Sequence, residues 1–289
     1  MISDQDARDY KRDGVIVVPE VLGPDLLAAL RAKIKELTAA ASAVTEHTEV
    51  YDLEPGHTPA DPRVRRIKTP HNVDPLFYEI VRQPQVIEIL KKLIGPNLRL
   101  HGSKLNMKSA RYGSPVEWHQ DWAFYPHTND DILAIGLLLD DTDLTNGPIL
   151  VTPSTHQGEV WNHHGADGRF AGMIDPDLIQ PEIKRAQPCM GKAGGMSFHH
   201  VRALHGSALN TSDRQRNLLL FEVAASDAWP LAGVKDFQEF DSRLLAGPST
   251  ITPRVTPVPV RMPLPPPVRQ GSIYETQSIS TKTYFTRAA

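Results

Sequence analysis

Hydrophobic and polar residues follow two different patterns along this chain. Before about residue 97, apolar residues recur at helical spacing in two segments, one beginning at Pro24 and one at Pro84. The second segment stops at Gly95, a residue typical of helix ends. A short apolar run at 15–18 predicts a buried strand. The first third of the chain is therefore expected to be mainly helical.

From Leu98 onward, short apolar runs alternate with turn residues, and no sustained helical period appears. Each run is bounded by Gly, Pro, Asn or Asp, which is typical of strands. The predicted strands lie at 98–107, 133–139, 149–151, 196–199 and 218–223. Many short strands of this kind favour a sandwich or a jelly roll, and such a fold can occupy a chain of this length as one unit.

Three segments interrupt this pattern. Residues 54–72 carry several prolines among basic side chains and predict a surface loop. Residues 155–187 are rich in Gly, His and Asp and are too long for a hairpin turn, which indicates an insertion near a functional mouth. Prolines crowd 248–267, and the alternating apolar residues favour an extended arm packed on the domain over a recognition linker.

Composition narrows the class of protein. The 289 residues are 40% hydrophobic and 22% charged with a formal net charge of -3, as in ordinary globular proteins, and this balance excludes the basic face of a nucleic-acid binder. A signal peptide and a membrane-spanning apolar stretch are not apparent, so a cytoplasmic protein without membrane partners is expected. Cys189 is the single cysteine, which excludes an internal disulfide and a cysteine-cluster metal site. The sequence does not indicate an oligomeric state.

The 12 histidines direct attention to metal ligands. His119 and Asp121 are two positions apart, which in a strand places both side chains on one face. A histidine of the segment 198–207 could complete a set of two histidines and one carboxylate, which leaves open positions on Fe(II). The pair alone is a weak signal, since a hydrogen-bonded structural pair explains it equally simply.

Arg216 strengthens the metal hypothesis. It follows His205 by eleven residues, with turn-forming residues between them, so the spacing predicts a hairpin that returns Arg216 beside the histidine strand. Its planar guanidinium could hold a distal carboxylate through two parallel hydrogen bonds. Without the His-Asp pair, Arg214 and Arg216 would be interpreted as solvated turn charges.

Three motifs together resemble the phytanoyl-CoA dioxygenase family: WHQDWAFYPH, NGPILVTPSTHQG and FHHVRALHGSALNTSDRQRNLL. The resemblance extends from about Asp9 to Phe221. It implies an Fe(II)- and 2-oxoglutarate-dependent oxygenase that consumes O2. It also implies metal ligation by His119, Asp121 and His205. Arg216 and Ser207 would then hold the far carboxylate of 2-oxoglutarate, and Asn106 resembles a cosubstrate-contacting position in the related ectoine hydroxylase.

The resemblance implies a mainly β fold, a double-stranded β-helix (a cupin-like jelly roll) with flanking N-terminal α-helices. We expect one dioxygenase domain over 1–289, made of a helical flank at about 1–97, a core at about 98–225 and a proline-rich arm at about 226–289.

The implied reaction is hydroxylation of an unactivated C–H bond of a small molecule, with release of succinate and CO2. Asp121 argues against halogenation, because halogenases of the family lack this carboxylate. Desaturation or another oxidation by the same centre stays open. So does a cupin-like metal-binding isomerase or binding protein, which would not need Arg216.

Substrate-binding residues are less well indicated. Trp122, Phe124 and His127 follow the predicted ligand Asp121 and could line the substrate mouth, with Trp122 favoured, although aromatic residues near strand ends are more often core. His163 and His164 are either solvated loop residues or substrate contacts.

Two further groups have a structural interpretation that is more common than the functional one. His199 and His200 are expected to support the structure or the metal ligands. A basic run could attract an anionic substrate, although a solvated run is the commoner explanation. This run consists of Arg63, Arg65, Arg66 and Lys68.

Overall fold

Two antiparallel β-sheets face each other across a central cavity, and helices cover the outer side of the larger sheet. The computed structural model describes residues 2–111, 113–269, 271–278, 280 and 282–285, so the last four residues of the expected arm lie outside the described part. The helices are α1 (Asp4–Asp13), α2 (Pro24–Ala40), α3 (Pro70–Val73), α4 (Pro75–Val81), α5 (Pro84–Ile94), α6 (Gln180–Ile183), α7 (Phe237–Ser242) and α8 (Ile273–Ser278). The strands are β1 (Val15–Val18), β2 (Tyr51–Leu53), β3 (Val64–Lys68), β4 (Leu98–Lys108), β5 (Val116–His119), β6 (Ile132–Leu138), β7 (Ile149–Val151), β8 (Gln187–Cys189), β9 (Met196–His200), β10 (His205–Ser207), β11 (Arg216–Ala225) and β12 (Leu244–Ala246).

The strand order identifies a jelly roll. The large sheet runs β1-β9-β6-β11-β4-β3-β2, with β12 also paired to β4, and the small sheet runs β5-β10-β7-β8. From β4 to β11, consecutive strands lie in opposite sheets except β7 and β8, which are neighbours in the small sheet, as expected for a double-stranded β-helix. The predicted fold class, mainly β with N-terminal helices, is confirmed.

The large sheet separates an apolar face from a polar one. In β11, Leu219, Phe221 and Val223 pack into the main core beneath α2 and α5, whereas Leu218, Leu220 and Glu222 point to the cavity. Alternation of this kind is the ordinary period of a strand. The core thus lies between sheet and helices, and the space between the two sheets is left for a site.

A β-bulge at His101 reverses the alternation of β4. On β11, Glu222 pairs with Gly102 but Val223 pairs with Leu100, so His101 is an extra residue. Leu98 and Leu100 consequently face the helices before the bulge, and Lys104, Asn106 and Lys108 face the cavity after it. An extra residue of this kind redirects every side chain that follows it.

Most predicted elements are confirmed, with small shifts at their ends. These are the two N-terminal helices α2 and α5, strand β1 and the five strands predicted after Leu98. The loop expected at 54–72 is only partly correct, because residues 64–68 form β3 and pair with β4. The basic side chains there come from a strand at the sheet, and the prolines flank it.

Two local predictions about the site strands were wrong. Arg216 does not return beside the histidine strand, because β10 lies in the small sheet and β11 in the large one. Asn210 explains the crossing, since its amide donates to the Lys108 carbonyl at 3.0 Å and to that of Arg214 at 2.6 Å, which ties the connection to β4. Asp121 likewise lies just beyond β5, in a 3-10 turn at Asp121–Ala123.

The described residues of the proline-rich segment after residue 248 run along the domain without helix or strand up to α8. Arg254 of this segment forms ion pairs with Asp131 and Asp227, and the Phe170 amide donates to the Pro265 carbonyl at 2.9 Å. These contacts agree with an arm packed on the domain. Within the described residues, we find no helix with the length and apolar character that a membrane crossing requires.

Candidate active site

The small sheet brings two histidines side by side. His119 of β5 and His205 of β10 are directly paired across the antiparallel strands, and their ring centroids are 4.1 Å apart. Asp121, two residues after His119, turns back toward them: its Oδ1 lies 3.6 Å from the Nε2 of His119 and 4.0 Å from the Nε2 of His205. The three ligand atoms lie within 4.8 Å of one another. This donor set suits a divalent iron with open positions.

Backbone carbonyls orient both imidazoles. The Nδ1 of His119 lies 2.7 Å from the Glu117 carbonyl, and the Nδ1 of His205 lies 2.9 Å from the Ala203 carbonyl. A carbonyl can only accept, so each Nδ1 carries the proton and each Nε2 presents a lone pair to the space near Asp121. Burial, followed by the neighbouring His119 and His199, holds the pKa of His205 well below its ordinary value, which keeps this ring neutral.

Gln120, between the two predicted ligands His119 and Asp121, is fixed by the insertion at 155–187. Its amide group donates to the carbonyls of Glu159 and Arg202 at 2.9 and 2.8 Å. Its backbone N–H donates to the Nε2 of the buried His163 at 2.9 Å. The insertion therefore supports the backbone that carries the predicted ligands. His163 is buried and acts as a positioning residue.

Lys104 connects the ligand Asp121 to the facing sheet. Its Nζ lies 2.9 Å from Oε1 of Glu222 and 3.9 Å from Oδ1 of Asp121. Burial disfavours the charge of Lys104, but the carboxylates of Asp121 and Glu222 outweigh it and raise the Lys104 pKa. Burial likewise disfavours the charge of Asp121, but Lys104 and the histidines hold its pKa well below the ordinary range. Asp121 is thus an anionic carboxylate across the physiological range, as a metal ligand needs to be.

One end of the cavity carries buried nitrogen and hydroxyl groups. We call it the cosubstrate end and define it by Asn106, Lys108, Ser207 and Arg216. Arg216 donates to the carbonyls of Asn146 and Gly147, while its Nη1 is buried without a partner. The Oδ1 of Asn106 is buried and unpartnered as well. A buried guanidinium with an unused donor is costly unless a ligand completes it, so this end suits a carboxylate.

The C-terminal helix closes the cosubstrate end. Tyr274 of α8 is buried at the cavity wall, and its hydroxyl has no hydrogen-bond partner. Arg65 stacks on the Tyr274 ring at 4.6 Å and pairs with Glu275 at 3.3 Å. Gln277 accepts from the Glu117 backbone N–H at 2.9 Å and so joins α8 to β5. Helix α8 is therefore part of the cavity wall.

The opposite end of the cavity is wider and partly open. We call it the substrate end and define it by Arg66, His101, Phe124, Tyr125 and Glu222. This space measures about 280 Å³, and Lys104 and Asp121 separate it from the cosubstrate end. His119, Asp121 and His205 line the cosubstrate side, and Asp121 also lines the substrate end, so the candidate metal site lies between the two ends, as a reaction between a cosubstrate and a second molecule requires.

The residues predicted to line the substrate mouth occupy three different places. Phe124 lies at the substrate end, and His127 lines an adjoining cavity, where it packs against His101 with ring centroids 4.8 Å apart. Trp122, the favoured one, instead packs in a buried cluster with Ile132 and Val201, and its Nε1 donates to the Pro259 carbonyl at 2.9 Å. Its indole joins the arm to the core.

The two histidines before the predicted ligand His205 diverge as expected for neighbours on a strand. His199 points toward the candidate metal site, where its Nε2 lies 4.0 Å from Oδ2 of Asp121, and burial lowers its pKa to about 4. His200 points the other way, toward Asp130 at 4.0 Å. His199 is therefore a neutral neighbour of the predicted ligands, and His200 is half-buried on the opposite face of the sheet.

Comparison with known proteins places the chain in a family. The family model described as phytanoyl-CoA dioxygenase matches residues 10–218, most of the chain. The chain belongs to the phytanoyl-CoA dioxygenase family. It is 34% identical over 283 residues to a probable alpha-ketoglutarate-dependent hypophosphite dioxygenase of Stutzerimonas stutzeri, covering 96% of this chain and 98% of that one. It is 27% identical over 227 residues to an ectoine dioxygenase of Bordetella bronchiseptica, covering 73% and 71% of the two chains.

The fold of a solved structure agrees with this assignment to the phytanoyl-CoA dioxygenase family. EctD from S. alaskensis with bound Fe superimposes with a TM-score of 0.67 at 22% identity, covering 89% of this chain and 88% of that chain. Membership of the family confirms the predicted reaction class, a dioxygenase that uses Fe(II) and 2-oxoglutarate. Both relatives are named for small-molecule substrates.

Several residues of the site were not predicted from the sequence. They are Lys104, Lys108, Glu222, Tyr274 and Gln120. A polar residue at every second position of 104–108 within an otherwise apolar strand was the available signal, because charged side chains rarely face a buried sheet interior without a role. Tyr274 carried no such signal, since α8 reaches the cavity only through the tertiary fold.

Proposed function

We propose that His119, Asp121 and His205 hold the iron of this dioxygenase. The observation that carries the proposal is the pairing of two carbonyl-oriented imidazoles with a buried carboxylate, all three facing one cavity. The donor set fits Fe(II), and the unpartnered Nη1 of Arg216 fits an acidic cosubstrate. The isomerase or binding-protein alternative would leave this buried guanidinium without a function.

The cosubstrate end would bind 2-oxoglutarate through its far carboxylate. Arg216 would donate from Nη1, with Ser207 and Asn106 lining the same space. When bound, iron and 2-oxoglutarate supply the oxidising chemistry: of the two atoms of O2, one enters the substrate and one enters succinate, while 2-oxoglutarate loses CO2. The chain's own residues bind both reactants, orient them about Asp121 and exclude water from the cosubstrate end.

Hydroxylation of a small molecule is the proposed outcome, and hypophosphite is the first substrate to test. The relative that shares 34% identity over nearly its whole length is named for hypophosphite, whose hydrogens are bonded to phosphorus. The C–H hydroxylation expected from the sequence is the second candidate, and it is supported by the relative named for ectoine. We also propose that 1–289 acts as one domain, because α8 completes the cavity wall.

Anaerobic titration tests the iron site. Fe(II) followed by 2-oxoglutarate is expected to give the visible metal-to-cosubstrate absorption band with the parent protein and none with His119→Ala. His164→Ala, in the exposed part of the insertion, is the matched control and should keep the band. Aerobic incubation with hypophosphite or ectoine is then expected to release succinate. If the His119→Ala protein bound iron and 2-oxoglutarate as well as the parent does, the ligand assignment would be wrong.

A further inference from the structure

Arg66 stands apart from the other basic residues of its segment. Arg63 pairs with Asp61, Arg65 with Glu275 and Lys68 with Asp52, each at 3.3 Å or less. Within the part of the chain that the structure describes, the Arg66 guanidinium has neither an ion pair nor a hydrogen bond, and its Nε is buried. A half-buried guanidinium with no counter-ion has lost hydration without gaining a partner.

The pairing of β3 determines where Arg66 points. On β2, Asp52 pairs with Arg66 but Leu53 pairs with Val64, so Arg65 is an extra residue and forms a bulge. Arg66 lies directly opposite Asn106 of β4, and residues opposite each other share a face of the sheet. Asn106 faces the cavity, and Arg66 accordingly lines the substrate end. The bulge turns its neighbour Arg65 to α8 instead.

Two cations and two carboxylates line the substrate end, but both carboxylates approach Lys104 and not Arg66. Glu222 is paired with Lys104 at 2.9 Å, and Gly102 makes this possible, since a Cβ at Gly102 would lie 3.1 Å from Oε2 of Glu222. Lys104 also faces Asp121. Both carboxylates are thus engaged with Lys104 or with the predicted metal site, and neither serves as a counter-ion of Arg66.

We propose that Arg66 recognises the acidic group of a small anionic substrate, a carboxylate or an oxyanion of phosphorus, and holds it at the substrate end beside Asp121. Its planar fork offers two parallel donors to two oxygens of such a group. This inference rests on the proposed function, because it assigns the substrate class for the same site. Arg66 is then a specificity-determining residue for the substrate, whereas Arg216 binds 2-oxoglutarate.

Calorimetric titration without oxygen tests this role on the protein loaded with Fe(II) and 2-oxoglutarate. The probes are hypophosphite, phosphite and acetate, with neutral acetamide for comparison. The parent is expected to bind at least one anion and to bind acetamide more weakly. The dissociation constant of that anion should rise roughly 10- to 100-fold in Arg66→Gln, because a charged hydrogen-bonded pair is lost, and it should rise less in Arg66→Lys. Arg63→Gln, whose side chain lies outside the cavity, is the matched control and should bind as the parent does.

The absorption band formed by Fe(II) and 2-oxoglutarate separates this inference from the proposed function. The band should be unchanged in Arg66→Gln. If the parent protein formed no band, the iron assignment itself would be overturned. The role of Arg66 would be overturned by anion binding that is unchanged in Arg66→Gln, by a parent that binds none of the anions, or by a variant that loses 2-oxoglutarate affinity instead. Circular dichroism of Arg66→Gln and Arg66→Lys checks that both variants are folded.

Discussion

The two ends of the cavity share strands β4 and β11 but differ in burial and in charge pairing. At the cosubstrate end, Lys108 and Arg216 are 1% and 2% exposed. Among the described residues, they donate to backbone carbonyls, and no carboxylate lies within hydrogen-bond distance of either. At the substrate end, Arg66 and His101 are half-buried, and Lys104 and Glu222 form an ion pair. The cosubstrate end therefore suits an anion that would supply the missing counter-ion. The charges of the substrate end are partly paired, and this end is open to solvent.

This difference has an electrostatic consequence. Burial lowers the pKa of Arg216 to about 10, and burial together with Arg216 lowers the pKa of Lys108 well below its ordinary value. Burial also acts on Lys104, but two carboxylates raise its pKa. A cation without a counter-ion gains from a bound anion, while a cation already paired gains little. Ligand binding should therefore change the cosubstrate end more than the substrate end.

Removal of the Arg216 side chain should give the largest effect confined to one end. Arg216→Ala leaves a bound 2-oxoglutarate without its main donor, and we expect the dissociation constant for 2-oxoglutarate to rise roughly 10- to 100-fold. Titration of the visible absorption band measures it. Arg214→Ala is the matched control, because Arg214 pairs with Asp143 at the surface. A variant whose substrate KM rose while its 2-oxoglutarate affinity stayed the same would contradict the assignment of the two ends.

The pH dependence of cosubstrate binding sharpens the comparison. The Lys108 pKa is lowered, so Lys108 is charged at low pH and becomes neutral as the pH rises through that lowered value. The affinity for 2-oxoglutarate should therefore fall with rising pH, by up to about tenfold per unit above the Lys108 pKa. Titrations at a series of pH values measure this slope.

The control for this prediction is Lys108→Met, which keeps the apolar stem and removes the ammonium group. Its affinity should be lower at low pH and nearly independent of pH over the same interval. A parent protein with a flat profile would show that Lys108 stays in one charge state throughout. The cosubstrate end would then rely on Arg216 alone.

The chemistry shared by the family could be predicted from short stretches of sequence. His119 and Asp121 are two residues apart, and His205 and Arg216 are eleven apart, so local motifs carry the residues proposed to bind iron and 2-oxoglutarate. The apolar runs of β4 and β11 also predicted strands in the correct places. The predicted hairpin that would place Arg216 beside the histidine strand was wrong, because strand pairing depends on contacts between segments far apart in the chain.

The substrate end could not be predicted for a physical reason. The orientation of Arg66 depends on a bulge at Arg65, and that of Lys104 depends on a bulge at His101. A single extra residue reverses the face on which every following side chain lies, and no residue type marks these bulges. The basic run at 63–68 therefore looked like a solvated loop, although one of its members lines the cavity.

The smallest expected effect concerns Tyr274, which α8 contributes to the wall of the cosubstrate end. Its hydroxyl is buried without a partner, so Tyr274→Phe removes an unsatisfied group and should change the free energy of unfolding by less than about 1 kcal/mol. Burial raises the pKa of the Tyr274 hydroxyl, and the nearby Arg216 partly offsets this rise.

We expect the hydroxyl to find its partner in bound 2-oxoglutarate, and its loss to weaken that affinity about threefold to tenfold, as for one neutral hydrogen bond. Thermal unfolding and the band titration measure the two quantities. If Tyr274→Phe raised the KM of the substrate and left 2-oxoglutarate binding intact, the Tyr274 hydroxyl would belong to the substrate end, which Ile273 and Thr276 of the same helix also line. The boundary between the two ends would then lie deeper than Lys104 and Asp121.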